Sequence, residues 1–206
     1  LKTPLTAISG IAEIMRGGMV KPEDIEDFAG DIYQEAQRLI ALVEDIIRLS
    51  RLDEGEGGLE REDVDLLKLS DQVVHRLEPA ARKQDVALKV TGRSVKVHGV
   101  ASVLEEMLYN LCDNAIKYNK PGGRVTVTVD YLGQDAQVQV EDTGIGIPQE
   151  DQSRVFERFY RVDKSHSKEI GGTGLGLSIV KHGAALHDGQ VRLESTPGRG
   201  TKVTLV

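Results

Sequence analysis

The sequence predicts an α+β fold in which a helical hairpin is followed by an α/β sandwich. Apolar residues recur at helical spacing through residues 1–54, whereas short apolar strands alternate with helices through residues 63–206. Between these parts, the glycine-rich and acidic segment 55–62 has no periodicity, which is typical of an interdomain hinge. The chain has 206 residues, of which 39% are hydrophobic and 29% are charged, so it can bury a core.

The first part is predicted to be an antiparallel helical hairpin. A short amphipathic helix ends at Gly17 and Gly18, and a helix of about four heptads starts after Pro22. The apolar stripe of the second helix contains Ile25, Phe28, Ile32, Leu39, Val43, Ile46 and Leu49. Two helices alone cannot enclose a core, so we expect a homodimer in which the two hairpins form a four-helix bundle.

The second part is predicted to alternate between helices and strands. Helices are expected near residues 66–84, 100–118 and 175–187, and strands near 86–90, 95–98, 190–195 and 201–206. Valines in period two at 125–129 and 138–140 predict a β-hairpin that turns at Gly133. Strands joined by hairpins, with helices between them, favour a layered α+β sandwich over a doubly wound parallel sheet.

The composition argues against several classes of function. A net charge of −7 without a run of Lys and Arg disfavours nucleic acid as a direct partner. Cys112 is the single cysteine of the sequence, which excludes an internal disulfide and indicates a reducing, cytoplasmic compartment. No stretch approaches the roughly 18 to 20 apolar residues that cross a bilayer, so a membrane anchor is expected only upstream of Leu1.

The predicted helix at residues 102–118 carries an unusual set of polar side chains. A single polar stripe beside a wide apolar face contains Glu106, Asn110, Asn114, Lys117 and Tyr118. Asparagine is a poor helix former, so two of them one turn apart indicate a function. Amide and carboxylate oxygens suit Mg²⁺, and Lys117 suits phosphate groups. For any one of these residues, a solvated helix face remains the simpler interpretation.

Two glycine-containing segments predict a nucleotide pocket. In VEDTGIGIP, residues 140–148, Asp142 at a strand end can accept a hydrogen bond from an exocyclic amine such as that of adenine. In GGTGLGLSIVK, residues 171–181, a glycine-rich loop leads into a helix whose first N–H groups form an anion site. Taken singly, the first segment is more simply a turn and the second is more simply a flexible connector.

Together and in order, these segments resemble the sensor histidine kinase family of two-component systems over essentially the whole chain. The matching motifs are the N box at 105–118, the G1 box at 142–148, the F box at 156–161, the G2 box at 172–177 and the G3 box at 198–201. Within the family, the chain is similar to the phosphate-sensing kinases of Gram-positive bacteria. The resemblance implies the Bergerat ATP-binding fold, with ATP and Mg²⁺ as cofactors.

The resemblance also implies roles for individual residues. Mg²⁺ would be held by Asn110 and Asn114, and the catalytic residues would be Thr3, Glu106, Asn110 and Lys117. The nucleotide would contact Asn110, Asn114, Lys117, Tyr118, Asp142, Gly144, Gly146, Ile147, Arg158, Arg161, Gly172, Thr173, Gly174, Leu175, Gly176, Leu177 and Thr201. Among these, Asp142 would bind the adenine amine and Tyr118 would lie beside the base. Residues 162–171 would form a mobile lid.

The start of the sequence resembles the end of the family's H box. Residues 1–5, LKTPL, match the pattern HE[LI][RK][TS]PL from its third position, so the phosphoacceptor histidine and the acid after it are missing from this chain. Thr3 matches the position that orients water when such kinases dephosphorylate their response regulator. None of the histidines present is a convincing substitute acceptor; these are His75, His98, His166, His182 and His187.

The implied function is an ATP-dependent kinase that phosphorylates a histidine and passes the phosphoryl group to an aspartate of a response regulator receiver domain. Regulator phosphatase activity is implied with it. Two alternatives stay open: an ATP-driven conformational clamp, as in topoisomerase or chaperone relatives, and a non-catalytic dimerisation or docking module. The heptad hairpin before the ATP-binding part disfavours the clamp, and the asparagine stripe with its glycine loops disfavours the docking module.

Overall fold

The computed structural model describes residues 2–53, 60–162 and 172–206. The helices are α1 (Lys2–Arg16), α2 (Ile25–Asp53), α3 (Leu66–Lys83), α4 (Ala101–Lys117) and α5 (Gly176–Leu186). The strands are β1 (Glu62–Asp65), β2 (Val86–Gly92), β3 (Lys96–Gly99), β4 (Gly123–Leu132), β5 (Asp135–Asp142), β6 (Val191–Thr196) and β7 (Gly200–Leu205). The predicted hairpin followed by a sandwich is confirmed.

Helices α1 and α2 pack against each other as the predicted hairpin. Gly18, just past the end of α1, has a φ of +67°, a conformation that glycine adopts without a side-chain clash. A short 3₁₀ turn at Pro22–Asp24 starts α2, and its acidic residues suit the positive end of the helix dipole. Among the described side chains of the hairpin, only Leu49 is buried. Much of the apolar stripe of α2 therefore stays uncovered within one chain.

The sandwich is built on a five-stranded sheet with strand order β2-β4-β5-β7-β6. Only the β2–β4 pair is parallel, and the other neighbours in this sheet are antiparallel. The predicted β-hairpin is confirmed: Val127 lies opposite Val140, and Gly133 at the turn has a φ of +67°. Val125, Val127 and Val129 alternate with partly exposed residues and are at most 1% exposed. One face of the sheet is therefore packed beneath helices.

Helices α3, α4 and α5 supply the opposing layer of the core. Met107, Leu108 and Leu111 of α4 are buried in the same cluster as the sheet valines. Asp65 caps α3, because its carboxylate accepts hydrogen bonds from the backbone N–H groups of Leu67 and Lys68. Burial of the apolar face of α4 leaves its polar stripe to face away from the sheet.

Strand β1 is the element that the sequence did not predict. It contains only one buried side chain, Val64, and its backbone is paired with β3 rather than with a sequence neighbour. Glu62, the last residue of the predicted hinge, belongs to this strand. Residues 54–59 lie outside the described residues, so the hinge itself stays a prediction. None of the helices in the described ranges is long and apolar enough to span a bilayer.

Candidate functional site

A cavity of about 1460 Å³ lies between α2, α4, the loop after β5 and the loop before α5. Most residues predicted for the site line it: Glu106, Asn110, Asn114, Lys117, Tyr118, Asp142, Gly146, Ile147, Arg161, Gly172, Thr173, Gly174, Gly176, Leu177 and Thr201. Sequence segments that are up to about a hundred residues apart thus converge on one space. The volume exceeds the roughly 300 to 1000 Å³ of typical ligand pockets, and α2 residues also line the cavity.

Asp142 ends strand β5 at the wall of this cavity. Its Oδ1 accepts hydrogen bonds from the backbone N–H of Gly144, at 2.8 Å, and from that of Thr201, at 3.2 Å. Burial raises the pKa of the Asp142 carboxyl, and these two N–H donors offset only part of the rise. Within the described part of the chain, no group donates to Oδ2. One oxygen is therefore fixed by the backbone, and the other is available to a donor in the cavity.

The loop after β5 needs glycine because it touches other backbone directly. A Cβ on Gly144 would lie 2.3 Å from the carbonyl oxygen of Tyr118. Gly146 has a φ of +69°, and a Cβ there would lie 2.2 Å from the carbonyl oxygen of Thr196. These contacts fix the loop against the ends of α4 and β6 and so hold Asp142 in place.

The start of α5 approaches the asparagines of α4 closely. The Asn110 amide nitrogen donates to the carbonyl of Glu106 at 2.9 Å, which turns its Oδ1 the other way. A Cβ on Gly176 would lie only 2.8 Å from that Oδ1. Asn114, one turn further along, is half-buried and lines the cavity. Amide oxygens of α4 and the N-terminus of α5 therefore face a common space.

Lys117 has a partner that the sequence interpretation missed. Its Nζ lies 2.6 Å from Oδ2 of Asp113, and both residues line the cavity. The two are four residues apart on α4, a spacing that favours such pairs and could have identified Asp113. The ion pair orients the Lys117 ammonium along α4.

Three residues predicted to contact the nucleotide do not line the cavity. The side chain of Leu175 is fully buried beside Leu49 and Ile179 and packs in the core, so its predicted contact with the nucleotide stays a prediction. Gly144 lies behind the cavity wall against Tyr118, as described above. Arg158 has its Nη2 3.1 Å from Nε2 of His182, an α5 residue, and its predicted contact with the phosphates stays a prediction.

Two further predictions fall wholly or partly outside the described residues. Thr3 lies in the first turn of α1, but its side chain is not among those described, so its role stays a prediction. Residues 163–171 of the predicted lid also lie outside the described ranges. The four histidines in the described part of the chain are not in the cavity lining; they are His75, His98, His182 and His187.

Helix α2 contacts the cavity through polar groups that no local sequence pattern indicates. Thr173 Oγ1 donates to Oδ2 of Asp45 at 2.6 Å, and Arg48 Nη1 lies 3.1 Å from Oε1 of Glu106. Leu49 of α2 packs on the buried start of α5 beside them. Burial raises the pKa of Glu106, and the Arg48 guanidinium opposes that rise. The two residues that these α2 side chains contact, Thr173 and Glu106, are both predicted for nucleotide binding or catalysis.

Residues 99–206 match the family described as histidine kinase-, DNA gyrase B-, and HSP90-like ATPase, and residues 1–55 match the His Kinase A (phospho-acceptor) domain. The sensor-like histidine kinase SenX3 of Mycobacterium tuberculosis (strain ATCC 25618 / H37Rv) is 40% identical over 206 residues, which are 100% of this chain and 50% of SenX3. The chain therefore spans about half the length of this relative.

Solved structures agree with the fold. The Acinetobacter baumannii histidine kinase AdeS superposes with a TM-score of 0.80 at 23% identity and covers 100% of this chain and 95% of its own. Histidine kinase ThkA, solved in complex with the response regulator protein TrrA, gives a TM-score of 0.76 at 23% identity over 99% of this chain and 57% of its own. The chain belongs to the histidine kinase-, DNA gyrase B-, and HSP90-like ATPases, and among them to the sensor histidine kinases of two-component systems.

Proposed function

We propose that this chain is the kinase core of a two-component sensor. It binds Mg-ATP, transfers the γ-phosphoryl group to a histidine of the H box, and passes that group to an aspartate of a response regulator. One observation carries the proposal: the oxygens of α4, Asp142 and the N-terminus of α5 open onto a single cavity that also touches the helical hairpin. The match of residues 1–55 to the phosphoacceptor domain favours this function over an ATP-driven clamp.

Asp142 is the proposed adenine contact. Its desolvated carboxylate has one oxygen without a donor among the described residues, and a buried charge is stabilised by a further hydrogen bond. The adenine amino group supplies such a donor. Guanine carries a carbonyl at the corresponding ring position, which repels a carboxylate, so Asp142 would select ATP over GTP.

The phosphates are proposed to lie between α4 and the start of α5. Asn110 and Asn114 fit Mg²⁺, which takes oxygen ligands and commonly shares only one or two protein groups with substrate phosphates. When bound, the ion would neutralise phosphate charge during transfer. The N–H groups at the start of α5 suit phosphate oxygens, and Gly176 leaves room beside Asn110. Lys117 would exchange its Asp113 partner for a phosphate.

Glu106 is the proposed general base for the attacking imidazole. It is a carboxylate of the cavity wall that reaches the helical hairpin, through Arg48. Its pKa is raised by burial, which brings the carboxylate nearer to the range in which it takes up a proton at neutral pH. Phosphoryl transfer otherwise needs the chain mainly for positioning and charge stabilisation.

The test restores the acceptor. A version of the chain with His and Glu placed directly before Leu1 completes the H-box pattern, and γ-labelled ATP with Mg²⁺ should label it with an acid-labile phosphoryl group. The same version with Gln in place of the added His is the matched control and should stay unlabelled. Equal labelling of both, or no labelling of a folded protein that binds ATP, would reject the kinase assignment.

The proposed partners are a second copy of the chain and a response regulator receiver domain. Ile40, Val43 and Ile47 form an exposed apolar stripe on α2, which a second hairpin would cover in a four-helix bundle. A receiver domain would then dock on the bundle; ThkA, which shares this fold, was solved in complex with the response regulator protein TrrA. Thr3 is the proposed residue for regulator dephosphorylation. The proposed compartment is the cytoplasm.

A further inference from the structure

Thr173 connects α2 to the phosphate-binding start of α5. Its hydroxyl donates to Asp45 at 2.6 Å and accepts from the backbone N–H of Leu175 at 3.2 Å. A threonine hydroxyl has a single proton to donate. While Asp45 accepts that proton, Thr173 cannot donate it to a phosphate oxygen.

The second polar contact of α2 is made with α4. Arg48, three residues after Asp45, has its guanidinium 3.1 Å from the Glu106 carboxylate. Residues three apart lie on one face of a helix, so a single face of α2 contacts both α4 and the loop before α5. Leu49 is buried next to this pair against Leu175 and Ile179, which gives the polar contacts an apolar anchor.

The Asp45 carboxylate opposes a phosphate group at Thr173. Asp45 and its neighbour Glu44 both line the cavity, and both carboxylates lie on α2. A phosphate bound at Thr173 would replace the proton donor of Asp45 with a negative group and bring two like charges together in a partly buried space. The α2 contact and the bound nucleotide therefore compete for the same groups.

We propose that Asp45 and Arg48 are positioning residues of the ATP site, which clasp Thr173 and Glu106 and must release them for productive Mg-ATP binding. This rests on the proposed function, because it assigns phosphate and proton-transfer roles to the residues that are clasped. By linkage, ATP then weakens the α2 contact by the same factor by which the contact weakens ATP binding. Asp45 sets nucleotide affinity, and Arg48 holds the candidate base until the contact opens.

The test uses calorimetry to measure the affinity of the chain for a non-hydrolysable analogue of ATP in the presence of Mg²⁺. Asp45→Ala should tighten binding by about fivefold or more, the lower range of such coupling. Glu44→Gln is the matched control, because it removes a neighbouring carboxylate of the cavity that makes no bond to Thr173; it should change the affinity much less. Circular dichroism checks that each variant keeps its helices.

A second measurement follows the contact between α2 and the ATP site directly. In the unaltered chain, the analogue should speed hydrogen exchange of the amides in residues 42–49 of α2, and Asp45→Ala should show that faster exchange without nucleotide. Nucleotide affinity in Asp45→Ala that is equal to or weaker than that of the unaltered chain would overturn the proposal that the α2 contact opposes ATP binding. Hydrogen exchange in α2 that nucleotide leaves unchanged would overturn it as well. Failure of the unaltered, folded chain to bind any ATP analogue would instead overturn the proposed function, so the two failures are distinguishable.

Discussion

The helical hairpin and the sandwich differ in how far the apolar faces of their amphipathic helices are buried within one chain. In the sandwich, the apolar face of α4 is sealed against the sheet, and Leu108 is 2% exposed. In the hairpin, Ile40 and Ile47 of α2 remain 50% and 48% exposed. The sandwich therefore completes its core within one chain, whereas the hairpin presents a face that needs a second surface. A helical pattern alone predicts the helix but not which surface covers it.

The largest effect is expected from a charge in the sandwich core. Val127 is 1% exposed in the central strand pair, and an unpaired carboxylate there costs several kcal/mol. Val127→Asp should unfold the sandwich and abolish nucleotide binding, as followed by circular dichroism and calorimetry. A cooperative melt near that of the unaltered chain would show that this core is not the source of its stability.

The same substitution in the hairpin should have a different result. Val43 is 42% exposed on the uncovered stripe of α2, so Val43→Asp should leave the sandwich folded and able to bind ATP while it separates the proposed dimer. Sedimentation velocity measures the change from two copies to one. An unaltered chain that stays monomeric at high concentration would contradict the dimer, and a variant that still dimerises would place the bundle face elsewhere.

Removal of a single side-chain oxygen from the cavity should weaken nucleotide binding without unfolding the chain. Asn114→Ala should weaken Mg-ATP binding by about tenfold or more, the usual scale for a lost hydrogen bond or ligand to a charged group. The loss should shrink when Mg²⁺ is replaced by EDTA, because the metal contact is then already absent. Affinity that stays unchanged in Mg²⁺ would reject the metal assignment.

The pH dependence of ATP binding should report the ionisation of the Asp142 carboxyl. Burial raises the pKa of this carboxyl, so the ionised form, which is the proposed acceptor for the adenine amine, is lost at a higher pH than for an ordinary aspartate. ATP affinity should therefore fall as the pH decreases through the raised pKa, and it should recover above it. Asp142→Asn should bind more weakly and lose this component. Parallel pH profiles for the two proteins would contradict the assignment.

The smallest effect is expected in the turn before β7. Gly198 has a φ of +76° with no atom within 4 Å of a built Cβ, so Gly198→Ala should cost only about 1 kcal/mol of backbone strain. Thermal denaturation should show a small shift, with the ATP affinity unchanged. A large loss of ATP affinity would show that this glycine shapes the pocket as well as the turn.

Elements encoded by a local period could be predicted from the sequence. The α2 heptads and the alternating valines of the β-hairpin are of this kind, because every residue of the pattern contributes to the same signal. Strand β1 could not be predicted, because a single buried residue, Val64, carries no period and its pairing strand is remote.

The functional site also contains some features that the sequence predicts and others that depend on remote contacts. The motifs placed Asn114 and Asp142 in one cavity because their order along the chain resembles a family pattern. They do not distinguish which side chains of the glycine-rich loop face the cavity, and the buried side chain of Leu175 is an example. The contact between Asp45 and Thr173 joins residues 128 positions apart, and no local pattern encodes it.

Selective nucleotide binding tests the central claim most directly. Calorimetry of the unaltered chain with Mg-ATP and Mg-GTP should show ATP bound more tightly by roughly tenfold or more, since the carboxylate of Asp142 gains a donor only from adenine. Asp142→Asn should remove most of that preference. A folded chain that binds neither nucleotide, or binds both equally well, would contradict the account.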